Sequence, residues 1–401
     1  MIDKFAVISH VLPPSPSGQA IVLHKLMKDL PSEKYCLISV IDHSNCSGDL
    51  VGSEKLPGKY YHLTPEFLLN PRFGSRVSSL KVIVNSALSI FQRARQIAQI
   101  ALEEQCKLII SCTGEPYDLP AAYFASKRAK LPFIAYIFDD YANQWTGIER
   151  RITARLEPLI LKNAHGVIVP NEYMAKEYFK RYGINCTVIH NPSAVPDLQE
   201  LDRTKSTLPS DEITIVYTGS IYHAHYDAFR NLIAALEKLG RPEVKLHLYT
   251  DQPKSKLEKE GIVGPFVIYH NYIHQTDVIR VLRQADILFL PLAFNSSIQE
   301  VLRTAAPGKT GEYLSVGRPI LVHAPQDTFV SWYFNEKRCG VVVDRCDSEY
   351  LAQEIERVIT DAELRHNLGQ EARNTAMMDF DETKIKLDFA NFLQNIISGK
   401  R

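Results

Sequence analysis

No stretch of this chain approaches the roughly 18 consecutive apolar residues of a membrane-spanning helix, so the sequence offers no span for a bilayer. Net charge is missing too. The 46 Lys and Arg residues balance 46 Asp and Glu, which argues against wholesale nucleic-acid binding. The seven cysteines (Cys36, Cys46, Cys106, Cys112, Cys186, Cys339 and Cys346) are odd in number and include no C-x-x-C pair. This argues against a disulfide framework or a zinc site and predicts reduced thiols in a cytoplasm. The first strand, Phe5-Ala-Val-Ile-Ser9, follows Met1 so closely that no room is left for a signal peptide, and cytoplasmic residence is the expectation.

What the 401 residues do contain is a regular alternation of short apolar strands and amphipathic helices. That pattern predicts parallel sheets with crossover helices, and the length predicts two domains of about 150 to 200 residues. Strands are expected at Ala6–Ser9, Cys36–Val40, Leu108–Ser111, Phe133–Phe138, Gly166–Val169 and Cys186–His190. A second set is expected at Ile213–Tyr217, Lys245–Tyr249, Val267–His270, Ile287–Leu290, Pro319–Val322 and Gly340–Val343. The polar, proline-bearing segment 193–212 reads as a linker, which bounds a first domain at 1–192 and a second at 213–378. Residues 379–401 form the C-terminal segment, with a helix over Glu382–Ile397.

The stretch richest in chemistry is Pro307-Gly-Lys-Thr-Gly-Glu-Tyr-Leu-Ser-Val-Gly-Arg-Pro-Ile320, after the apolar run Asp286-Ile-Leu-Phe-Leu-Pro291. Pro307 marks the expected first helical turn, where unpaired backbone N–H groups and the Lys309 charge suit a diphosphate. One turn on, Glu312 shares that face and has the lone pairs to accept from ribose hydroxyls. The pattern Pro-x-Lys-x-x-Glu-Tyr-Leu-x-x-Gly-x-Pro resembles the donor-site helix of GT-B glycosyltransferases, particularly the retaining enzymes related to glycosyltransferase family 4.

The resemblance implies an α/β GT-B fold: two Rossmann-like domains facing across a cleft, with the C-terminal helix crossing back to the first. It implies a nucleotide-sugar donor, UDP- or GDP-linked, which is a substrate and not a cofactor. Ligands are expected at the carboxyl ends of the strands. Four loops there carry the other candidates. After the first strand, Gly18 would let backbone approach a phosphate or acceptor. In Thr218-Gly-Ser-Ile-Tyr-His-Ala-His225, relatives have an arginine and a lysine on the diphosphate, and this chain has Ser220 and His225 after Gly219. His223 and His225 are equally polar loop residues, and give thin support for a metal. In Tyr269-His-Asn-Tyr-Ile-His274, the backbone near His274 would read the base, and Tyr272 would line its pocket or pack in the core.

In the first domain, Thr113-Gly-Glu-Pro-Tyr-Asp118 and Asp139-Asp-Tyr-Ala-Asn-Gln-Trp145 bring four carboxylates and two aromatics to strand ends. Glu115, Asp139 and Asp140 are the catalytic candidates for proton transfer from an acceptor hydroxyl. Asp118, Tyr141 and Trp145 are the candidates for binding acceptor or sugar. Asp379-Phe-Asp381 has D-x-D metal spacing but stands where the terminal helix begins, and helix capping is the better reading, so no metal site is assigned. From Phe67 through Leu102 there is no Asp or Glu, while Arg72, Arg76, Lys81, Arg93 and Arg95 intersperse with apolar residues. This is either a core-facing helix with a solvated basic side or a surface for anionic membrane at its inner face.

The expected activity is glycosyl transfer to a glycan or lipid-linked acceptor in cell-surface polysaccharide synthesis. Two alternatives share the fold: a nucleotide-sugar epimerase, and an inert nucleotide-sugar-binding or scaffold protein.

Overall fold

A computed structural model describes residues 2–43, 54–64, 66, 68, 75–202, 208–271 and 273–399. The chain divides into two compact units, Met1–Pro192 with Thr383–Arg401, and Ser193–Glu382.

The first unit is built on β1 (Phe5–Ile8), β2 (Tyr35–Ser39), β3 (Lys59–His62), β4 (Leu108–Cys112), β5 (Phe133–Tyr136), β6 (Gly166–Val169) and β7 (Thr187–Val188). These form one seven-stranded sheet in the order β3-β2-β1-β4-β5-β6-β7. All pairs are parallel, with Phe5 in register with Tyr35 on one side and Leu108 on the other. The central strands are apolar at every position because both faces are covered. Ala6, Ile8 and Ile109 pack into one layer, while Phe5, Val7, Leu108 and Ile110 pack into the other. The helix Glu382–Ile397 belongs to that second layer, burying Ile385, Phe389 and Leu393 at a spacing of one helical turn. It lies so close to β6 that a Cβ on Gly166 would stand 2.5 Å from a Phe392 ring atom.

The second unit contains β8 (Ile213–Thr218), β9 (Val244–Tyr249), β10 (Val267–His270), β11 (Ile287–Pro291), β12 (Ile320–His323) and β13 (Val341–Val343). Their order is β10-β9-β8-β11-β12-β13, again all parallel. In each unit the strand order reverses direction beside the first strand, between β1 and β4 and between β8 and β11. At such a switch point the following loops diverge to opposite faces and leave a crevice at the strand carboxyl ends.

Three expectations need correction. The edge strand β3 is not among those expected, because Lys59-Tyr-Tyr-His62 is half exposed and lacks the apolar run that marks a covered strand. The segment 193–212 is not structureless. It contains a helix, Leu198–Asp202, whose Asp202 carboxylate accepts from Arg283 Nε and Nη2, both at 2.8 Å. Ser193 pairs with Asp381, so this segment is part of the second unit. The loop before Pro307 likewise includes a short helix, Gln299–Thr304. Before the terminal helix, Asp379 lies in the π turn Ala376–Phe380 and accepts from Tyr333 Oη at 2.7 Å and Lys337 Nζ at 2.6 Å.

Candidate functional site

At the switch point of the second unit, β8 ends in Thr218 and the chain turns through Gly219, whose φ of +110° is open to glycine and strained for other residues. A Cβ there would stand 3.2 Å from Lys309 Nζ, so the turn and the amine are immediate neighbours. The amine lies 3.7 Å from the centroid of the Tyr217 ring, a cation–π contact. Tyr217 is held in turn by donating to the Ser220 carbonyl at 2.7 Å. Lys309 opens the helix Lys309–Ser315, and Tyr313 of the same helix accepts from the Thr218 N–H at 3.1 Å. This bond and the Lys309–Tyr217 contact tie the helix to the strand end. Gly311 allows the helix to seat, since a Cβ there would meet Ser193 Cβ at 2.7 Å.

Burial lowers the Lys309 pKa to about 7, and the nearby Glu312 carboxylate only partly offsets that desolvation. Without a ligand the amine is therefore only partly protonated at neutral pH, and an anion beside it would restore its charge. His225 lies within the same turn region but is buried. Its desolvation and the Lys309 charge push its pKa well below the usual histidine range. Burial thus disfavours a charged His225 at this turn. Its Nδ1 and the Thr310 hydroxyl are both buried without a partner among the described residues. Ser220 is exposed and donates to Asp251 at 3.0 Å. The loop after β11 closes the other side, with Phe294 and Asn295 N–H groups donating to Asp227 at 3.2 and 2.7 Å.

Glu312 is half-buried on the helix that carries Lys309. His274 is exposed, and its carbonyl receives the Asp277 N–H at 2.8 Å. Tyr272 lies outside the described residues. Tyr217, Tyr313 and Thr310 are the residues that sequence reading missed as site-forming. The only local signal is the Tyr-Leu of the helix motif, because the Lys309–Tyr217 contact joins distant parts of the chain.

In the first unit, Gly18 opens the helix Gly18–Met27 and has no neighbour within 4 Å of a built Cβ, so space for a ligand is open there. The four carboxylates separate sharply. Arg93 Nη1 donates to Glu115 at 2.6 Å and Asp118 at 2.8 Å, and its Nε binds Glu66. Glu115 also accepts the Tyr117 and Asp118 N–H groups at 2.7 and 2.9 Å. Asp140 is buried in a fork with Arg181, at 3.1 and 2.7 Å. These three carboxylates are committed to holding loops in place, which corrects the expectation that Glu115 and Asp140 are free for proton transfer. Arg93, expected on a basic surface, is instead the buried hub of this set. Asp139 differs. Burial and the neighbouring Asp140 charge raise its pKa to about 6, within range of acid–base work near neutral pH.

Tyr141 is fully buried, and its hydroxyl donates to the Pro116 carbonyl. It is a core residue and corrects the expectation that its face meets a sugar. Trp145 is half-buried, with its indole N–H unpartnered among the described residues.

Two family models match the chain: Glycosyltransferase Family 4 over residues 17–193, and Glycosyl transferases group 1 over residues 212–361. A search of curated protein sequences found no match. Among solved structures, a glycosyltransferase from Rickettsia africae ESF-5 is similar, with 13% identity, a TM-score of 0.69 and 99% of both chains covered. Anabaena Alr3699/HepE in complex with UDP-glucose has 16% identity and a TM-score of 0.69, covering 97% of this chain and 99% of that one. WaaG, a glycosyltransferase involved in lipopolysaccharide biosynthesis, has 14% identity and a TM-score of 0.61, covering 97% and 99%.

Proposed function

The chain belongs to the GT-B glycosyltransferases of group 1 and family 4, and we propose that it transfers a hexose from a UDP- or GDP-sugar to a hydroxyl of a glycan or lipid-linked acceptor in cell-surface polysaccharide synthesis. The observation that carries this reading is the Lys309 amine set against Gly219 and the Tyr217 ring at the β8 turn. A cation in a semi-enclosed site, beside a backbone position without a side chain, is suited to the charge that develops on a departing diphosphate. Glu312 would accept from the ribose hydroxyls. The UDP-glucose bound to Alr3699/HepE supports uridine as the base.

Departure of the nucleotide is assigned to Lys309 without a metal. Asp379 of the D-x-D is already engaged with Tyr333 and Lys337. The likeness to family 4 supports retention at the anomeric carbon. Asp139 is the proposed proton acceptor. Its conversion to asparagine is expected to lower kcat by about a hundred-fold or more, and to remove the rise of kcat with pH near 6, as a general base must be ionised to act. A pH profile with its limb intact in Asp139→Asn would assign the proton to another group.

The reading as a whole is tested by a thermal-shift screen against UDP, GDP, ADP, CMP and their sugar conjugates, run in parallel on Glu312→Ala. A rise in Tm with uridine nucleotides that shrinks in the variant is expected. No rise with any nucleotide would overturn the donor site and favour a scaffold. Conversion of the nucleotide sugar itself, in the absence of acceptor, would identify an epimerase.

A further inference from the structure

The first unit carries a groove of about 590 Å³ formed by the helices Ser75–Glu103, Asp118–Ala129 and Gly147–Lys162, remote in chemistry from the carboxylates described above. Its walls are hydrocarbon: Ile83, Ala87, Phe91, Phe124 and Leu156 are among the residues that line it. Several of these are unusually open to solvent, with Phe91 64%, Ile83 48% and Phe124 41% exposed. On the long helix, Leu80, Ile83, Val84, Ala87 and Phe91 recur at spacings of three and four, so they form one continuous apolar stripe. A stripe of that length left exposed on a folded unit marks a contact site.

The polar rim has one sign. Arg95, Arg128 and Arg155, one from each helix, line the groove. All three are exposed, and none has an ion-pair partner among the described residues. Among the described residues no carboxylate lines the groove, and the serine on its wall, Ser86, is already bonded to the Val82 carbonyl and the Tyr117 hydroxyl. Arginines from three separate helices thus converge on the mouth of an apolar trough.

We infer that this groove takes the hydrocarbon tail of an anionic phospholipid, with Arg95, Arg128 and Arg155 on the lipid phosphate. The occupant follows from the charge pattern. A lipid of this class joins apolar chains to a phosphate at one end, and arginine binds phosphate through a planar fork of donors while its stem lies along apolar surface. A second copy of the chain would not fit as well. Two-fold pairing across the groove would place one arginine set against the other, with no carboxylate between them. The inference does not depend on the glycosyl-transfer reading, since every groove residue lies in the first unit and outside the donor loops.

The test is co-flotation of the full chain with vesicles of equal parts phosphatidylglycerol and phosphatidylcholine, and with vesicles of phosphatidylcholine alone. The protein is expected to float with the mixed vesicles only. Each basic residue at an anionic surface contributes about five-fold in affinity, so the triple substitution R95Q/R128Q/R155Q is expected to weaken binding about a hundred-fold.

The second variant is Ala87→Trp, which fills the groove without altering charge. If a tail must enter, this variant weakens binding although its surface is more apolar. Native mass spectrometry with short-chain phosphatidylglycerol should show a one-to-one adduct for the wild type and none for Ala87→Trp. Equal binding by wild type and Ala87→Trp would overturn the tail site. So would failure of the wild type to float, or gel filtration showing a dimer that Ala87→Trp dissociates. Unchanged melting and unchanged uridine-nucleotide shifts in both variants show that the folded chain and its donor site are intact, which keeps the two readings separable.

Discussion

Lys309→Ala is expected to weaken binding of a UDP-sugar by about ten- to a hundred-fold, the loss that follows removal of one charge-assisted hydrogen bond to an anion. The substitution takes away the cation that stands against Gly219 and leaves the Tyr217 face bare, while Tyr313 still ties the helix to β8. The fold of the second unit should therefore persist. A pH series provides the sharper test. Burial brings the free amine down to about pKa 7. A bound diphosphate favours the ammonium and raises that value, so binding takes up a proton wherever the free amine is neutral. Affinity of the wild type should consequently fall as pH rises from about 7 toward 9, and the Lys309→Ala variant should show no such fall. Calorimetric titration with a UDP-sugar measures both; parallel pH dependences in the two proteins would remove Lys309 from the donor site.

Arg93→Ala is expected to destabilise the first unit by about 3–5 kcal/mol, because Glu66, Glu115 and Asp118 would lose the guanidinium they share. For a unit of this size the corresponding drop in Tm is on the order of 10 °C. Burial and the Glu115 charge already hold the Asp118 carboxyl far above its ordinary value, at about 8, and removal of Arg93 raises it further. For a group whose pKa is raised in the folded state, stability is present at low pH and lost as pH climbs through the folded value. The variant should thus lie closest to wild type near pH 5 and fall away through pH 7 to 9. Arg93→Lys should recover only part of the loss, since one ammonium cannot replace the separate Nε and Nη1 donors. A melting curve for Arg93→Ala within about 2 °C of wild type at pH 8 would contradict the buried network.

How much of the candidate site can be read without coordinates depends on the range of the interaction. Lys309 and Glu312 are legible together because their spacing along one helix, and the prolines and glycine around them, are local features. The neighbours Asp139 and Asp140 are indistinguishable in sequence. Only the approach of Arg181 from another helix separates a buried ion pair from a carboxyl with a raised pKa. Tyr141 and Trp145 are both aromatics in one loop, and residue type cannot show that one is sealed in the core while the other is half-buried with an unpartnered indole N–H. His225 illustrates a different limit. Its charge state follows from burial beside Lys309, which no composition or spacing encodes.

Period and local motif suffice for the two parallel-sheet units, the terminal helix Glu382–Ile397 and the family likeness, since backbone hydrogen bonding and apolar periodicity act over a few residues. Packing decides the rest. The β3 edge, the helix within 193–212, the Arg93 hub, the buried His225 and the arginine-rimmed groove all arise where segments far apart in the chain meet. Burial and charge at those meetings are properties of the three-dimensional neighbourhood, and they set which carboxylate is free, which cation is poised and which apolar face stays open.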